Sequence, residues 1–272
     1  MPEAWTLTFK NLFFPIFCRQ CGFQLLTQEN GYFCPECWNL PDRIKLPFCT
    51  VCGRPHEASA GFGPVQNFPC AECRSLKPPP YRRVFGAAAY DGAISEAIKL
   101  FKFYDRPAIA SLLADVMVEF AEREMNCEQY DDLVPVPLHR VRLRDRGFNQ
   151  AQLLAKRLLP AFSRARLNES LLRIRPTQRQ VSLKNIEERL KNVIGAFAVT
   201  PEEHFEGRTV LLIDDVVTSG GTASECARAR KRAGAAHVDV LAAALPTHDW
   251  NGSSKIHRRE EPPAIWSRFV AR

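Results

Sequence analysis

The 272-residue chain has no apolar run approaching the length that spans a membrane, about 20 consecutive residues for a helix. "LFFPIF" at 12–17 comes nearest and is far too short. The N-terminus shows no basic segment followed by an apolar core and a small-residue cleavage site, so no secretory signal is read. These absences lead to the expectation of a cytoplasmic chain that is not inserted in a membrane. The glycine-rich stretch after "VLLIDD" is not followed by a lysine, which excludes a Walker-type nucleotide loop. Acidic charge is in deficit: 37 Lys and Arg against 30 Asp and Glu give a net charge of +7 and hint at an anionic partner. Hydrophobic content of 46% and charged content of 25% are ordinary for a globular protein long enough to bury a core in one large or two modest domains.

Cysteine is what the chain has in quantity. Eight of its ten cysteines form four Cys-x-x-Cys pairs, "CRQC" (18–21), "CPEC" (34–37), "CTVC" (49–52) and "CAEC" (70–73). Two thiolates at that spacing grip one metal ion from a tight turn, and two such turns complete a tetrahedron. Twelve residues separate Cys21 from Cys34, seventeen separate Cys52 from Cys70, and glycine follows the first pair of each set (Gly22, Gly53). The expected sites are Cys18, Cys21, Cys34 and Cys37 on one zinc, with Cys49, Cys52, Cys70 and Cys73 on a second; spacing alone leaves crossed pairing open. An all-cysteine site has no open position for water, so both zinc ions read as structural. Disulfides are disfavoured in a reducing cytoplasm, and redox pairs by the lack of a βαβ setting. Cys127 and Cys226 stand apart and read as small buried hydrophobes.

Organisation changes near residue 80, after the proline-rich "SLKPPPYRR" (75–83), which reads as a stiff linker. The expected division is a zinc-ribbon domain over 1–78, an α/β domain over 79–248 and a loosely ordered tail over 249–272. Beyond the linker, strand candidates "VFGAAAY" (84–90), "DDLVPVP" (131–137), "LLRIR" (171–175), "VIGAFAV" (193–199), "TVLLID" (209–214) and "HVDVLAAAL" (237–245) appear. Helical stretches at 93–101, 107–125, 147–162 and 222–234 are interspersed among them. Such alternation predicts a parallel sheet covered on both faces.

Within "VLLIDDVVTSGGTASECARA" (210–229) an apolar strand ends in two adjacent acids and then breaks into small residues. Thr218, Ser219, Gly220, Gly221 and Thr222 would let backbone N–H groups converge at a helix N-terminus, where the dipole favours an anion. Asp214 and Asp215 would then face a sugar's hydroxyls or a magnesium ion. Thr222 and Glu225 also have capping-box spacing, which is compatible with binding but leaves the two acids unexplained.

This stretch resembles the phosphoribosyl pyrophosphate (PRPP) motif of type I phosphoribosyltransferases. The resemblance implies that the acids meet the ribose 2- and 3-hydroxyls and that Thr218–Thr222 hold the 5-phosphate. Together with "VPVPLHRVRLRDRGFNQAQLLA" (134–155), "RPTQRQVSLKNIEERLKNVIGAF" (175–197) and the cysteine pairs, it is similar to the ComF family. That family joins a double zinc ribbon to a Rossmann-like, parallel-sheet type I phosphoribosyltransferase domain. Its members are implicated in DNA uptake during natural transformation, which implies PRPP, single-stranded DNA and DNA-uptake proteins as partners. Arg175, Thr177 and Gln180 match the family's mobile loop over the site, followed by Arg189 and Asn192. The alternative is a metabolic enzyme without a DNA role, transferring phosphoribose to or from an amine or base, although no base-recognition motif follows "HVDVLAAALP".

Holding a pyrophosphate leaving group calls for cations, and arginine suits phosphate oxygens bidentately. Arg140, Arg142, Arg144 and Arg146 follow the "VPVP" strand end. Arg146, before a glycine and the helix-opening Phe148–Asn149, is the first choice, and Lys102 in "LFKFYD" a further candidate. Between Leu138 and Asn192 stand fourteen Lys and Arg against four Asp and Glu. One pyrophosphate does not need so many, so Arg164, Arg166, Arg173 and Arg179 read as spare cations able to track a phosphodiester backbone.

Overall fold

The computed structural model describes residues 15–25, 31–40, 43–56, 67–103, 106–177 and 186–246. The N-terminal part contains a two-stranded antiparallel pair, β1 (Ile16–Phe17) and β2 (Gln24–Leu25), and two short helices, α1 (Pro35–Asn39) and α2 (Ala71–Ser75). Alternation then begins with β3 (Arg83–Ala89), α3 (Gly92–Phe103), α4 (Ile109–Glu124) and β4 (Asp132–Pro135). It continues with α5 (Arg140–Arg146), α6 (Gln150–Leu158), β5 (Arg166–Leu167), β6 (Leu171–Arg173) and α7 (Ile186–Val193). The last described elements are β7 (Phe197–Val199), β8 (Thr209–Val216), α8 (Gly221–Arg232) and β9 (His237–Leu245).

Five strands form one parallel sheet in the order β3-β9-β8-β4-β5. The near-continuous apolar runs Val210–Ile213 and Val240–Leu245 are buried throughout, as strands covered on both faces require. The exception in β9 is Asp239, fully buried, which accepts from Arg82 Nε at 3.0 Å and Tyr130 Oη at 2.9 Å. Helices α4 and α6 pack on each other and on one face of the sheet, and α8 covers the other. The fold class is the α/β parallel sheet with an N-terminal ribbon that the sequence predicts.

Two details differ from the prediction and a third adds to it. The segments at 171–175 and 193–199 do not join the parallel sheet; β6 and β7 pair antiparallel with each other, as a separate flap beside α8. Strand β8 does not stop at Asp214 but carries both acids and Val216. The basic stretch after "VPVP" is helix α5, capped by His139 and ended by Gly147 in the left-handed region at φ +74°. The 249–272 tail and Arg179 and Gln180 lie outside the described residues.

The ribbon is seated on the sheet. Val84 N donates to Val51 O at 2.8 Å and Ile44 N to Ala87 O at 3.1 Å, so β3 is hydrogen-bonded on the side opposite β9. Phe48 packs edge-on to Phe85 and against Phe120, joining the ribbon's core to that of the sheet. Gly53 permits the approach: a Cβ there would lie 2.4 Å from Val84 O, and its φ of +73° disfavours any side chain. Gly147 has a similar φ of +74° with open space around it. Gly53→Ala is expected to destabilise the protein by about 2–4 kcal/mol, left-handed strain plus overpacking. Gly147→Ala should cost only the strain, about 1–2 kcal/mol. Thermal unfolding of the two variants measures the difference, and equal losses would mean that the ribbon is not seated so closely.

Candidate functional site

Two cysteine clusters are built alike. In each knuckle the first cysteine's N–H meets the carbonyl five residues on: Cys18 N to Phe23 O and Cys49 N to Arg54 O, both 2.8 Å. The closing glycine donates back, Gly22 N to Cys18 O at 2.9 Å and Gly53 N to Cys49 O at 3.0 Å, each with φ +73°. The second pair of each cluster opens a helix, with Cys34 capping α1 and Cys70 at the start of α2. Amides of Val51, Cys52 and Cys70 point at Cys49 Sγ from 3.4, 3.5 and 3.2 Å, as suits a sulfur carrying negative charge.

The four sulfurs of each cluster lie within 4.8 Å of one another, and pairing is sequential, Cys18–Cys37 and Cys49–Cys73. Cys21 and Cys34 are 3.8 Å apart and Cys52 and Cys70 3.9 Å. A tetrahedral ion with about 2.3 Å zinc–sulfur bonds would separate its sulfurs by about 3.8 Å. Both donor sets therefore fit structural zinc, without a position for water.

The second feature lies at the carboxyl end of β8, where open parallel sheets bind ligands. A cleft of about 170 Å³ is lined by Asp214, Asp215, the Val216–Ala223 loop, Lys102, Arg142, Arg146 and Arg173. Gly220, at φ +71°, turns the chain so that α8 begins at Gly221 facing the cleft. Lys102, the last-turn lysine of α3, reaches Asp215 Oδ1 at 2.8 Å. Burial pulls the Lys102 ammonium down, but Asp215 and then Asp214 outweigh it and leave its pKa above the usual value. Asp214 has no such partner and accepts only the Asp215 amide, at 2.9 Å, among its described hydrogen bonds. Burial first, and the charge of Asp215 second, push its carboxyl up to about 7.

Helix α5 sorts the four arginines by its own periodicity. Arg142 and Arg146, four apart, line the cleft, whereas Arg140 and Arg144 are exposed and do not. Arg146 donates to Gln150 Oε1 at 3.2 Å and lies over the Phe103 ring at 5.7 Å. Asn149 caps α6 through Ala151 N and donates to Val136 O at 3.1 Å, fixing the wall between β4 and the cleft.

Two of the supposed spare cations are not spare. Arg173, on the β6–β7 flap, lines the cleft and hydrogen-bonds the Thr177 hydroxyl, with Arg142 donating to Thr177 O at 3.0 Å. Burial and then the nearby Arg142 bring the Arg173 guanidinium down to about 10. Arg166 pairs with Asp132 at 2.9 Å and Glu203 at 3.1 Å. Arg164 is exposed, as are Arg140, Arg144, Lys156 and Arg157. Arg175 lies outside the cleft lining and donates to the carbonyls of Asn192 and Ile194 at 3.0 and 2.8 Å.

The capping box is absent: Gly220 caps α8, and Glu225 instead accepts from Gly195 N at 2.9 Å and pairs with Arg228, tying the flap to α8. The role of Arg173 was hidden because its segment reads as one more parallel strand. The pairing of Lys102 was hidden by the 113 positions separating it from Asp215.

A model of the double zinc ribbon domain matches residues 9–74. The DNA utilization protein YhgH of Escherichia coli (strain K12) is 34% identical over 229 residues, covering 83% of this chain and 95% of that protein. Competence protein F of Haemophilus influenzae (strain Rd) is 30% identical over 234 residues, covering 84% and 96%. Among solved structures, a purine phosphoribosyltransferase from Pyrococcus horikoshii Ot3 overlaps 53% of this chain and 74% of its own, at 13% identity and a TM-score of 0.31. No described helix is long and apolar enough to cross a membrane.

The raised Asp214 carboxyl makes a signed prediction. Its folded pKa, about 7, lies above the ordinary value of 3.8. The folded form therefore holds a proton that the unfolded chain has released, and this contribution to stability is lost as pH rises through 7. Without ligand, Asp214→Asn should melt higher than wild type at pH 8, by about 2–4 °C for each kcal/mol relieved. The gain should vanish near pH 4. Thermal melts across this range test it; a variant that melts lower at pH 8 would make Asp214 a structural residue.

Proposed function

Because the chain belongs to the ComF family, with competence protein F and the DNA utilization protein YhgH among its relatives, we propose that it binds a phosphoribosyl ligand, PRPP with magnesium, in the β8 cleft and acts in DNA uptake. The observation that supports this most is the meeting of a two-acid strand end, a glycine turn at a helix N-terminus and three arginines in one cleft.

In this reading the amides of Thr218–Thr222 hold the 5-phosphate, helped by the α8 dipole. Asp214 and Asp215 accept the ribose hydroxyls. Arg142, Arg146 and Arg173 face the pyrophosphate oxygens; they serve whether the diphosphate is only held or also leaves. A carboxyl kept protonated by burial and a like charge is one that an arriving cation will ionise. The oxygen donors of Asp214 and Asp215 fit magnesium, which would neutralise the diphosphate beside them. In an active enzyme, displacement at the anomeric carbon would follow from the same arrangement; in a binding module the ligand would stay intact. Arg140 and Arg175 take no direct part, and Gln180 is proposed only from its place in the family's loop pattern.

Calorimetry with PRPP and magnesium is expected to show binding, weakened tenfold or more in Asp215→Asn, the scale of a lost charged hydrogen bond. Absence of binding by wild type would remove the proposal. Pyrophosphate release with any of a panel of amine or base acceptors would make the protein a transferase, and binding without release a module.

The DNA side draws on the exposed cations outside the cleft, Lys156, Arg157 and Arg164 among them. Wild type is expected to bind single-stranded DNA with steep salt dependence and little sequence preference. Arg157→Glu/Arg164→Glu should weaken this and flatten the salt slope by one to two contacts' worth while leaving PRPP affinity unchanged. No affinity for single strands even at low salt would favour a metabolic transferase.

A further inference from the structure

The loop of the β8 cleft lies against the second metal knuckle, with one aromatic side chain between them. Gly220, which turns the loop into α8, presents its Cα to Tyr81: a Cβ there would stand 2.9 Å from Tyr81 Oη. The Ser224 side chain, in the first turn of α8, is the hydroxyl's hydrogen-bonding neighbour. Tyr81 is itself anchored, because the next residue is clamped to the sheet. Arg82 N donates to Val238 O at 2.8 Å, and its guanidinium pairs with buried Asp239.

On its other side Tyr81 meets the metal knuckle. A cavity of about 20 Å³, room for a single water, is lined by Cys52, Arg54, Tyr81, Thr218 and Gly220 among others. Cys52 and Thr218 thus line one small space, one a metal ligand and the other a residue of the loop. The knuckle cannot settle elsewhere, since Gly53 is pressed on Val84 O and Val51 O holds Val84 N. No cysteine of the first cluster lines this cavity or the cleft.

We propose that Tyr81 is a positioning residue that couples the second zinc site to the loop: a filled loop holds the second zinc in place, and loss of that zinc loosens the loop. The inference builds on the phosphoribosyl-binding reading. Coupling of this kind is reciprocal, so ligand should protect the second cluster as much as the second cluster supports ligand. The first cluster, whose helix α1 packs on α3 and none of whose cysteines lines the cavity or the cleft, supplies an internal control.

The experiment uses the full chain loaded with two zinc ions. N-ethylmaleimide labels the cysteines over time, with and without saturating ribose 5-phosphate in magnesium-free buffer, and peptide mass spectrometry resolves each position. Alkylation of Cys52, Cys70 and Cys73 should slow about fivefold or more, the lower range of measured couplings, while Cys18, Cys21, Cys34 and Cys37 react as before. In Tyr81→Ala this contrast should fall below about twofold and the ribose 5-phosphate affinity should drop about tenfold, with zinc content unchanged. Tyr81→Phe, which keeps the ring between knuckle and loop, should restore most of both.

Should Tyr81→Ala fail to fold, the wild-type contrast between clusters decides alone. Equal protection of both clusters would be general stabilisation by a bound ligand and would overturn the coupling. Protection of neither, with ribose 5-phosphate binding seen by calorimetry, would overturn it as well while leaving the phosphoribosyl site intact. If ribose 5-phosphate does not bind at all, the site reading and the coupling fall together.

Discussion

Two carboxylates at consecutive positions of a buried strand are an electrostatic problem, and the ion pair from Lys102 to Asp215 is what makes them tolerable. The sheet delivers both acids into the cleft because Val210–Ile213 must stay buried and β8 continues past them. One acid is neutralised by Lys102. The other, Asp214, is left with burial and a like charge, and answers by keeping its proton. Around this pair the positions of α3, α5 and the β6–β7 flap make chemical sense. α3 brings the lysine, α5 two arginines from one of its faces, and the flap a third. The cleft thus has its acids on the floor and its arginines around them, which suits a ligand with hydroxyls at one end and phosphates at the other.

Several arginines and acids away from the cleft are spoken for. Buried Asp132 takes Arg166 and Arg208, Asp239 takes Arg82, and buried Arg230 lies over Phe205 at 4.3 Å. A basic sequence is therefore a poor guide to a basic surface: several charges that look free along the chain are bound in the ion pairs that close the ends of the strands.

The parts of the molecule that follow local rules could be read from sequence. Cys-x-x-Cys spacing with a following glycine gave both metal clusters, because a knuckle is a five-residue object with its own hydrogen bonds. The apolar run before Asp214 and Asp215 gave the central strand and the loop at its end. What stayed hidden depends on distance along the chain or on one element mistaken for another. "HRVRLRDR" has no apolar face strong enough to announce a helix, so Arg140 could not be separated from Arg142. The flap strands are three residues each and were indistinguishable from sheet strands without their partner. Glu225 looked like a cap for its own helix because the amide it accepts from, that of Gly195, lies thirty residues away.

The seating of the ribbon on β3 bears on more than the position of the metals. β3 is the outermost strand of the parallel sheet on its side, and Val84, Phe85 and Ala87–Ala89 are apolar and buried. Val51 and Ile44 occupy hydrogen-bonding groups that an outermost strand would otherwise leave open. An uncovered, largely apolar edge of this kind is a template for pairing with another chain. The zinc ribbon therefore also serves as an edge guard. A ribbon that came loose would uncover this apolar edge, so its seat on β3 also shields the sheet from pairing with another chain.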